Sequence, residues 1–354
     1  TQSITLNLLI GIIILFLSVI LSNYIFRIFD VSQEVYNNSV LYFKIILVGI
    51  IPMFISFAFS AILRGAGDTV TPMRITAIAN ILNIIGNYVL IKGVGPFPEL
   101  GIAGAAWSTT ISRFIALLLY IYKIYIKDSS IKLKPSLFLS KKIVKPLWEI
   151  SLPGGIEQGL MQLSFVVLGV IVSKLDTISE ATFRILIQIE SLSFMPAVGM
   201  SIAAATLVGQ SLGEKNENKA VEIGYLSSFL GILWGIFIGL LFILFPSSAI
   251  VVFSKESSIL ETGIGVMLFM GINQLGLNFV IVMSGALRGA GDTKFVMIVT
   301  VLRLWLIFIP LSYLFINRMN LGLAGVWYAE IISFIVFSTQ FFFRFKSRKW
   351  VKDI

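Results

Sequence analysis

The 354-residue chain contains no cysteine and no histidine. The lack of cysteine excludes disulfides and thiol chemistry, and the lack of histidine excludes zinc-protease motifs, imidazole general bases and histidine ligation of haem. Charged residues are also scarce, at 13% of the sequence. The chemistry that remains is that of carboxylates, amides and aromatic rings. Because no catalytic motif is present in a loop, the sequence predicts a protein that is not an enzyme and carries no cofactor.

Hydrophobic residues are abundant, at 57% of the chain, and the mean hydropathy is +0.95. This composition lies outside the range of soluble domains and is typical of an integral membrane protein. A helix needs about 20 apolar residues to cross a bilayer. Ten stretches meet this length, at residues 4–26, 40–63, 72–92, 101–126, 147–173, 181–206, 219–245, 258–284, 295–317 and 321–343. The sequence therefore predicts ten transmembrane helices, called spans 1 to 10 below.

The net charge of +9 does not indicate a nucleic-acid partner, because the basic residues follow membrane topology. Eighteen Lys and Arg residues fall in the loops and tail on one side of the predicted helices, and five fall on the other side. Loops rich in Lys and Arg stay in the cytoplasm. The C-terminus and the loops after spans 2, 4 and 8 are therefore predicted to be cytoplasmic.

The heptapeptide LRGAGDT occurs at residues 63–69 and again at 287–293, which gives a repeat with a period of 224 residues. A second shared string follows each copy, GIAGAAWSTTIS at 101–112 and GLAGVWYAEIIS at 322–333. The repeat pairs spans 1 to 4 with spans 7 to 10 and leaves spans 5 and 6 without earlier partners. It predicts two parallel six-helix units, the first lacking about two N-terminal helices because the chain is a fragment. A natural ten-helix protein that has lost this pair is the alternative.

The repeat also sets the predicted domain boundaries. Residues 1–126 form an N-lobe of four helices, 127–146 a cytoplasmic linker, 147–345 a C-lobe of six helices and 346–354 a cytoplasmic tail. The predicted fold class is an all-α membrane protein with two pseudo-symmetric helical lobes and ten transmembrane helices.

Several motifs, in this order, are similar to those of the MATE (multidrug and toxic compound extrusion) family. They are LRGAGDT after a helix, NILNIIGNYVLIKG at 80–93, GIAGAAWSTTIS at 101–112 and ESLSFMPAVGMSIAAATLVGQSLG at 190–213. The resemblance covers essentially the whole chain, from the third to the twelfth helix of the family.

The resemblance implies a twelve-helix, two-lobe, multi-pass exporter in the cytoplasmic membrane of a bacterium, which exchanges Na⁺ or H⁺ for small, amphipathic organic cations. We expect the protein to be monomeric. An acidic residue that the family uses for coupling lies on its first helix, which has no counterpart in this sequence. The alternative is a flippase for lipid-linked oligosaccharides from the same superfamily. A flippase needs a cationic cavity for a pyrophosphate group, whereas the central charges here are mainly acidic.

Two acidic residues are predicted at the middle of the membrane, where a charge costs about 2.5 to 3.5 kcal/mol on insertion scales and therefore marks a functional candidate. Glu157 lies about 15 Å along span 5, and Glu190 lies similarly deep in span 6. A desolvated carboxylate binds either a proton or a cation, and this competition can drive antiport. We therefore expect Glu157 and Glu190 to form the C-lobe coupling or cation-binding element. Alternatively, they form structural pairs with Arg184, Arg303 or glutamine side chains.

Polar and soft side chains on three spans are candidates for the wall of the substrate cavity. They are Gln158, Met161 and Gln162 in span 5, Asn273, Gln274 and Asn278 in span 8, and Asn80 and Asn83 in span 3. The asparagines of span 3 also suit hydrogen bonding between helices, and the methionine also suits packing. One branch of the family uses acids on its seventh and tenth helices for a cation site. Near its middle, span 8, the equivalent of the tenth helix, offers Asn273, Gln274 and Asn278 but no acid.

The LRGAGDT motif is predicted to be a structural hinge and cap at a cytoplasmic helix end. Its glycines allow a turn, and Asp68 or Asp292 can cap the next helix while facing Arg64 or Arg288. Glu330 in span 10 is equally compatible with a functional and a structural role.

Overall fold

The computed structural model describes residues 2–28, 32–127 and 140–351, and the regular structure within these ranges is helical. The helices are α1 (Gln2–Ile28), α2 (Gln33–Val48), α3 (Ile50–Gly65), α4 (Val70–Lys92), α5 (Gly101–Ile121) with a π-helical end (Tyr122–Lys127), α6 (Lys141–Val172), α7 (Thr177–Gly213), α8 (Glu217–Leu244), α9 (Pro246–Val251), α10 (Ser257–Gly289), α11 (Thr293–Leu302), a π-helix (Arg303–Phe308), α12 (Ile309–Asn317) and α13 (Ala324–Lys346). They form two compact units, Thr1–Leu147 and Trp148–Ile354.

The described residues contain nine helical segments that are long and apolar enough to cross a membrane, and a tenth span if one bent pair is included. These segments overlap the ten predicted spans. The predicted class of all-α, multi-pass membrane protein is therefore confirmed. Residues 128–139, which make up most of the predicted linker, lie outside the described residues, as do residues 352–354 of the predicted tail.

The bent pair corresponds to span 2, which the sequence predicts as one continuous helix. Helices α2 and α3 meet at Gly49 with a bend of 45°. Pro52, in the first turn of α3, has no N–H to donate to the carbonyl of Val48, so the helical ladder is interrupted there. Gly49 also leaves room for Arg113, because a Cβ at position 49 would lie 3.2 Å from the Cδ of Arg113. The apolar pattern predicts the span but does not reveal this break.

One helix boundary and one helix interior also differ from the prediction. Helix α6 begins at Lys141 rather than at residue 147, because its first turns carry lysines that extend the helix beyond the apolar stretch. Span 9 contains the π-helix Arg303–Phe308, which is followed at once by Pro310 in α12. Because a proline cannot donate a backbone hydrogen bond, the ladder ahead of it must adjust, and a π-turn is one such adjustment.

Helix α10 forms the centre of the second unit, and more than half of its membrane-spanning window is buried. Helix α8 packs very closely against it through glycines one turn apart. A Cβ at Gly235 would lie 2.6 Å from the carbonyl oxygen of Gln274, and one at Gly239 would lie 2.5 Å from that of Gly271. Small residues at this spacing are typical of close helix packing in membranes.

The two LRGAGDT copies form matching ion pairs at the ends of their helices. Asp68 lies 3.8 Å from the ammonium of Lys123, and Asp292 lies 2.7 Å from Nε of Arg344. Lys123 and Arg344 each follow the first glycine of their shared string by 22 residues. The duplicated motif therefore ties the turn between two helices to the end of a third helix in each unit.

The aspartates differ in their other contacts. Asp68 accepts hydrogen bonds from the backbone N–H and the hydroxyl of Thr71, at 2.9 and 2.6 Å, and so caps the start of α4. Asp292 makes no such cap and instead accepts two bonds from Arg344, at 2.7 and 3.2 Å. It thus contacts Arg344 rather than the expected Arg288. The side chain of Asp292 is 6% exposed, against 30% for Asp68.

This difference predicts unequal effects of the same substitution. Asp292→Asn removes the charge opposite a largely buried guanidinium and should lower the free energy of unfolding by about 3 kcal/mol. Asp68→Asn keeps an oxygen that can accept from Thr71 and should cost about 1 kcal/mol or less. Thermal melts of the two purified variants in one detergent test this, and equal losses would contradict the structural ranking.

Candidate functional site

Glu190 lies near the middle of α7, the longest helix of the second unit. The helix starts at an N-cap, Asp176, whose carboxylate accepts from the hydroxyl and backbone N–H of Ser179; these bonds lower the pKa of Asp176. Glu190 is 9% exposed, and its carboxylate accepts a hydrogen bond of 3.0 Å from Nε2 of Gln274. The structure thus places this predicted coupling residue in a buried, polar environment.

Three amides of α10 line the same region. Asn273, Gln274 and Asn278 are exposed by 2%, 0% and 0%. The Nδ2 of Asn278 donates to the hydroxyl of Ser193 on α7 at 3.3 Å and to the carbonyl of Gln274 at 2.8 Å. Gln274 also donates to the carbonyl of Met270. All three predicted cavity residues of span 8 therefore face the interior of the second unit.

Asn273 is the exception among these amides, because neither its oxygen nor its nitrogen has a hydrogen-bond partner. A buried polar group without a partner costs about 1 to 3 kcal/mol, so such a group calls for an explanation. The Asn273 amide lies next to two carboxyl groups, those of Glu190 and Glu330, and interacts with both. It therefore connects two acids that approach from α7 and α13.

Arg303 completes this group of charges. It begins the π-helix of span 9, donates to the hydroxyl of Ser333 at 3.2 Å and lies 4.2 Å from the centre of the Phe334 ring. Its charge acts directly on Glu330. We call Glu190, Asn273, Gln274, Arg303 and Glu330 the polar cluster. With both acids ionised it carries one net negative charge.

Glu157 lies in a different environment. Its carboxylate accepts a 2.6 Å hydrogen bond from Nη2 of Arg288, and the two form an ion pair in which the glutamate side chain is 4% exposed. Arg288 also donates to the hydroxyl of Ser284 at 3.2 Å, and Arg64 and Ser60 make the equivalent bond in the first copy of the motif. The partner of Glu157 is thus neither Arg184 nor Arg303. Arg184 pairs with Glu180 on the surface of α7.

The remaining candidates of α6 lie mainly on its surface. Gln158 and Gln162 are exposed, whereas Met161 packs against a hydrophobic cluster of the second unit. The role of these three residues in a cavity wall stays a prediction.

The two candidate asparagines of α4 also differ in their surroundings. Asn80 is exposed, while Nδ2 of Asn83 donates to the hydroxyls of Ser108 and Thr109 on α5, at 3.3 and 3.1 Å. Ser108 in turn donates to the backbone carbonyl of Asn83 at 2.8 Å. Asn83 thus links α4 to α5.

Sequence reasoning gave too little weight to Glu330 and Arg303. The available signal was their position, since both are ionisable and lie inside predicted spans. Arg303 belongs to no recognisable motif, and Glu330 lies in the second shared string without marking a site. Helix α13 packs against both α10 and the π-helix, and this packing brings Glu330 to Asn273 and to Arg303. Among the described residues, no three acidic side chains lie close enough to bind a metal ion together.

Comparisons with known proteins agree with this architecture. The MatE family model matches residues 1–89 and 153–314. A probable multidrug resistance protein NorM of Thermotoga maritima is 34% identical over 94% of this chain and 72% of its own length. An uncharacterised transporter YisQ of Bacillus subtilis is 32% identical over 83% of this chain and 65% of its own length. The chain thus spans about two thirds of the length of such relatives.

Solved structures show the same fold. A MOP superfamily transporter from Pyrococcus furiosus superposes with a TM-score of 0.91 at 21% identity, over 99% of this chain and 80% of that protein. An outward-facing multidrug resistance MATE transporter gives a TM-score of 0.91 at 22% identity, over 99% of this chain and 78% of that protein. The family model covers most of the chain, and members of this family are transporters that need no prosthetic cofactor. The chain therefore belongs to the MATE family of membrane transporters and is a multi-pass membrane protein rather than an enzyme.

Proposed function

We propose that the protein is a secondary active multidrug exporter that exchanges H⁺ or Na⁺ for cationic, amphipathic compounds by alternating access. We also propose that it works as a monomer in the cytoplasmic membrane of a bacterium. Its relatives from Thermotoga maritima and Mannheimia succiniciproducens are both described as probable multidrug resistance proteins, which supports this class of substrate.

The observation that carries the proposal is the environment of Glu190. This carboxylate is buried and hydrogen-bonded to Gln274, and none of the ion pairs within the described ranges includes it. A buried carboxylate without a cationic partner is strongly stabilised when it takes up a proton or a small cation. Such a group can bind the coupling ion in one conformation and release it when the substrate cation arrives.

The polar cluster offers suitable chemistry for either ion. Two carboxylates and the amide oxygens of Asn273 and Gln274 are hard oxygen ligands of the kind that alkali and alkaline-earth cations prefer. The same two carboxylates can instead share one proton. Arg303 balances one of the two negative charges, so a single positive charge, from the coupling ion or from a drug, neutralises the cluster.

We assign a different role to Glu157. Arg288 already balances its charge at 2.6 Å, so we propose that the pair holds α6 against α10 and is a structural element rather than an ion carrier. Gln158, Met161 and Gln162 on α6 and Asn80 on α4 stay proposed as parts of the substrate path. Asn83 is proposed to serve helix packing.

Reconstitution tests the function directly. The full-length protein in vesicles should move ethidium, a lipophilic cation, when a proton gradient or a Na⁺ gradient is imposed, and the effective gradient names the ion. Vesicles without protein and vesicles with a collapsed gradient are the controls. Movement under neither gradient would refute cation-coupled export, and movement of a lipid-linked pyrophosphate instead would establish a flippase.

A further inference from the structure

The last described residues of the chain fold back on the second unit. Trp350 is fully buried, and its ring stacks on that of Phe345 with the ring centres 4.8 Å apart. Its Nε1 donates a hydrogen bond of 2.7 Å to the backbone carbonyl of Phe345. Both rings belong to a hydrophobic cluster that also contains Leu212 of α7 and Ala220 of α8. Trp350 therefore anchors the segment that follows α13.

This anchor fixes a short turn that carries three basic side chains. Lys346 ends α13, Arg348 has a left-handed backbone with a φ of 54°, and Lys349 comes directly before the buried Trp350. The side chains of Lys346, Arg348 and Lys349 are all exposed, and residues 340–351 include no acid. We call these three residues the basic turn. It lies at the end of α13 that is predicted to be cytoplasmic.

The basic turn has no carboxylate partner within the described ranges, because none of the ion pairs there includes it. Arg348 donates from Nη1 to Oδ1 of Asn218 in the first turn of α8, at 3.3 Å. Two acids of α8, Glu217 and Glu222, are exposed and form no ion pair with the turn. The three cations are therefore available to an anion from outside the chain.

An apolar groove of about 550 Å³ begins one helical turn from the basic turn. It lies over α10 and between α8 and α13, and no charged residue lines it. Phe342 and Phe343 line the end near the basic turn, and Lys346 follows them by four and three residues, so it lies on the same face of α13. Ile331 lines the other end, about 18 Å away at 1.5 Å per residue. The groove therefore extends over roughly one leaflet of a bilayer, whose hydrocarbon core is about 30 Å thick.

We infer that the basic turn and the groove together bind one anionic phospholipid from the leaflet that is predicted to be cytoplasmic. The phosphate lies at the basic turn, and one acyl chain lies along the groove past Phe343. Basic side chains at the membrane end of a helix attract anionic headgroups, and a guanidinium is well suited to hydrogen-bond a phosphate. A length of one leaflet matches an acyl chain that enters from the headgroup region.

The two parts of the site select this ligand together. A soluble phosphate would gain nothing from the groove, and a lipid without net charge would gain little from three cations. Helices α8 and α13 already touch beside the groove, where the ring of Tyr225 packs against those of Phe342 and Phe345. A lipid that binds along this seam holds both helices and therefore stabilises the folded state. The inference does not depend on the proposed export function.

Thermal unfolding of the purified full-length protein in an uncharged maltoside detergent tests the site without any transport step. Dioleoyl phosphatidylglycerol, which is anionic, and dioleoyl phosphatidylcholine, which has no net charge, are each added in increasing amounts. Lys346→Gln/Lys349→Gln removes two charges of the basic turn. Its matched control is Lys141→Gln/Lys142→Gln, because these two lysines are equally exposed at the start of α6 and lie far from the groove in sequence.

The groove is tested separately. Ile272→Trp narrows it, and Leu268→Trp is the matched control, because both side chains lie on α10 and are 45% exposed but only Ile272 lines the groove. Ile335→Trp, in the opposite wall, replaces Ile272→Trp if that variant fails to fold, and Lys349→Gln alone replaces the double lysine variant in the same case. Glycerol phosphate serves as the headgroup without acyl chains.

We expect phosphatidylglycerol to raise the melting temperature of the wild type at a concentration about tenfold or more below that of phosphatidylcholine. Lys346→Gln/Lys349→Gln should lose most of this preference, and Ile272→Trp should weaken the response to both lipids. The two control variants should respond like the wild type.

Four results would overturn the inference. They are equal responses of the wild type to the two lipids, an unaltered preference in Lys346→Gln/Lys349→Gln, an equal loss in Lys141→Gln/Lys142→Gln, and an unaltered response in both Ile272→Trp and Ile335→Trp. The third result would mean that any part of the basic surface attracts the lipid. A full effect of glycerol phosphate alone would also overturn the lipid and identify a site for free phosphate.

Discussion

Replacing Glu190 with glutamine is expected to abolish gradient-driven efflux of ethidium while the protein remains folded. Glutamine has nearly the same shape as glutamic acid and keeps an oxygen that can accept from Nε2 of Gln274, so the 3.0 Å hydrogen bond can persist. It cannot release a proton or bind a cation by charge. The variant should therefore behave as a carrier fixed in the neutralised state.

The measurement is the initial rate of ethidium efflux from vesicles under the gradient that drives the wild type. We expect a loss of at least about tenfold, a factor that corresponds to about 1.4 kcal/mol of coupling free energy. The matched control is Glu180→Gln, because Glu180 lies on the same helix but at the surface, in an i,i+4 pair with Arg184 at 2.7 Å. A pair of this kind contributes only about 0.3 to 0.5 kcal/mol.

Other results would separate the possible roles of Glu190. Loss of efflux together with loss of the native melting transition would mean that the carboxylate is needed for folding, and would contradict the coupling role. Undiminished ion-driven efflux in Glu190→Gln would also contradict it. Glu330→Gln provides a second test of the same cluster, because Glu330 also lies next to Asn273 and its charge acts on Glu190. We expect it to alter the ion dependence of efflux as well.

The architecture was accessible from the sequence because bilayer burial requires long apolar segments, which composition reveals directly. The repeat was equally predictable, because the heptapeptide LRGAGDT recurs. In the structure each copy forms its own ion pair, Asp68 with Lys123 and Asp292 with Arg344. The bend at Gly49 was not predicted, because hydropathy does not change where Pro52 interrupts the ladder. Regular helices are thus predictable from composition, whereas their breaks depend on single backbone hydrogen bonds.

The sequence predicts which residues are candidates for the site, but it does not predict which residues they contact. Placing an ionisable residue inside a span costs free energy, so Glu157, Glu190 and Glu330 all stand out in the sequence as functional candidates. Their partners depend on how helices distant in sequence pack, and Arg288 lies 131 residues from Glu157. The arginine of the repeated motif was expected to face its own aspartate. No sequence pattern reports that α10 directs Arg288 to α6 and Asn273 to the acids of α7 and α13.

Breaking the Glu157–Arg288 ion pair is expected to produce unequal losses of stability. Arg288→Gln leaves a carboxylate that is 4% exposed without its counter-charge, whereas Glu157→Gln leaves a guanidinium that is 34% exposed and still bonded to Ser284. Removing one partner of a buried pair costs about 3 to 5 kcal/mol. We therefore expect Arg288→Gln to lower the free energy of unfolding by an amount in this range and Glu157→Gln by about half as much, at the level of a lost charged hydrogen bond.

The double variant Glu157→Gln/Arg288→Gln is the decisive member of this cycle. Because it leaves no uncompensated charge, it should be more stable than Arg288→Gln alone, as measured by thermal melts in detergent. The surface pair Glu180–Arg184 gives the control cycle, for which we expect a coupling of less than about 1 kcal/mol. Strictly additive losses at Glu157 and Arg288 would show that the pair does not stabilise the fold.

If Glu157→Gln also stopped ion-driven efflux without lowering the melting temperature, Glu157 would be a coupling residue that Arg288 neutralises in this conformation. The antiport cycle would then have to break a 2.6 Å ion pair between α6 and α10 each time an ion is bound.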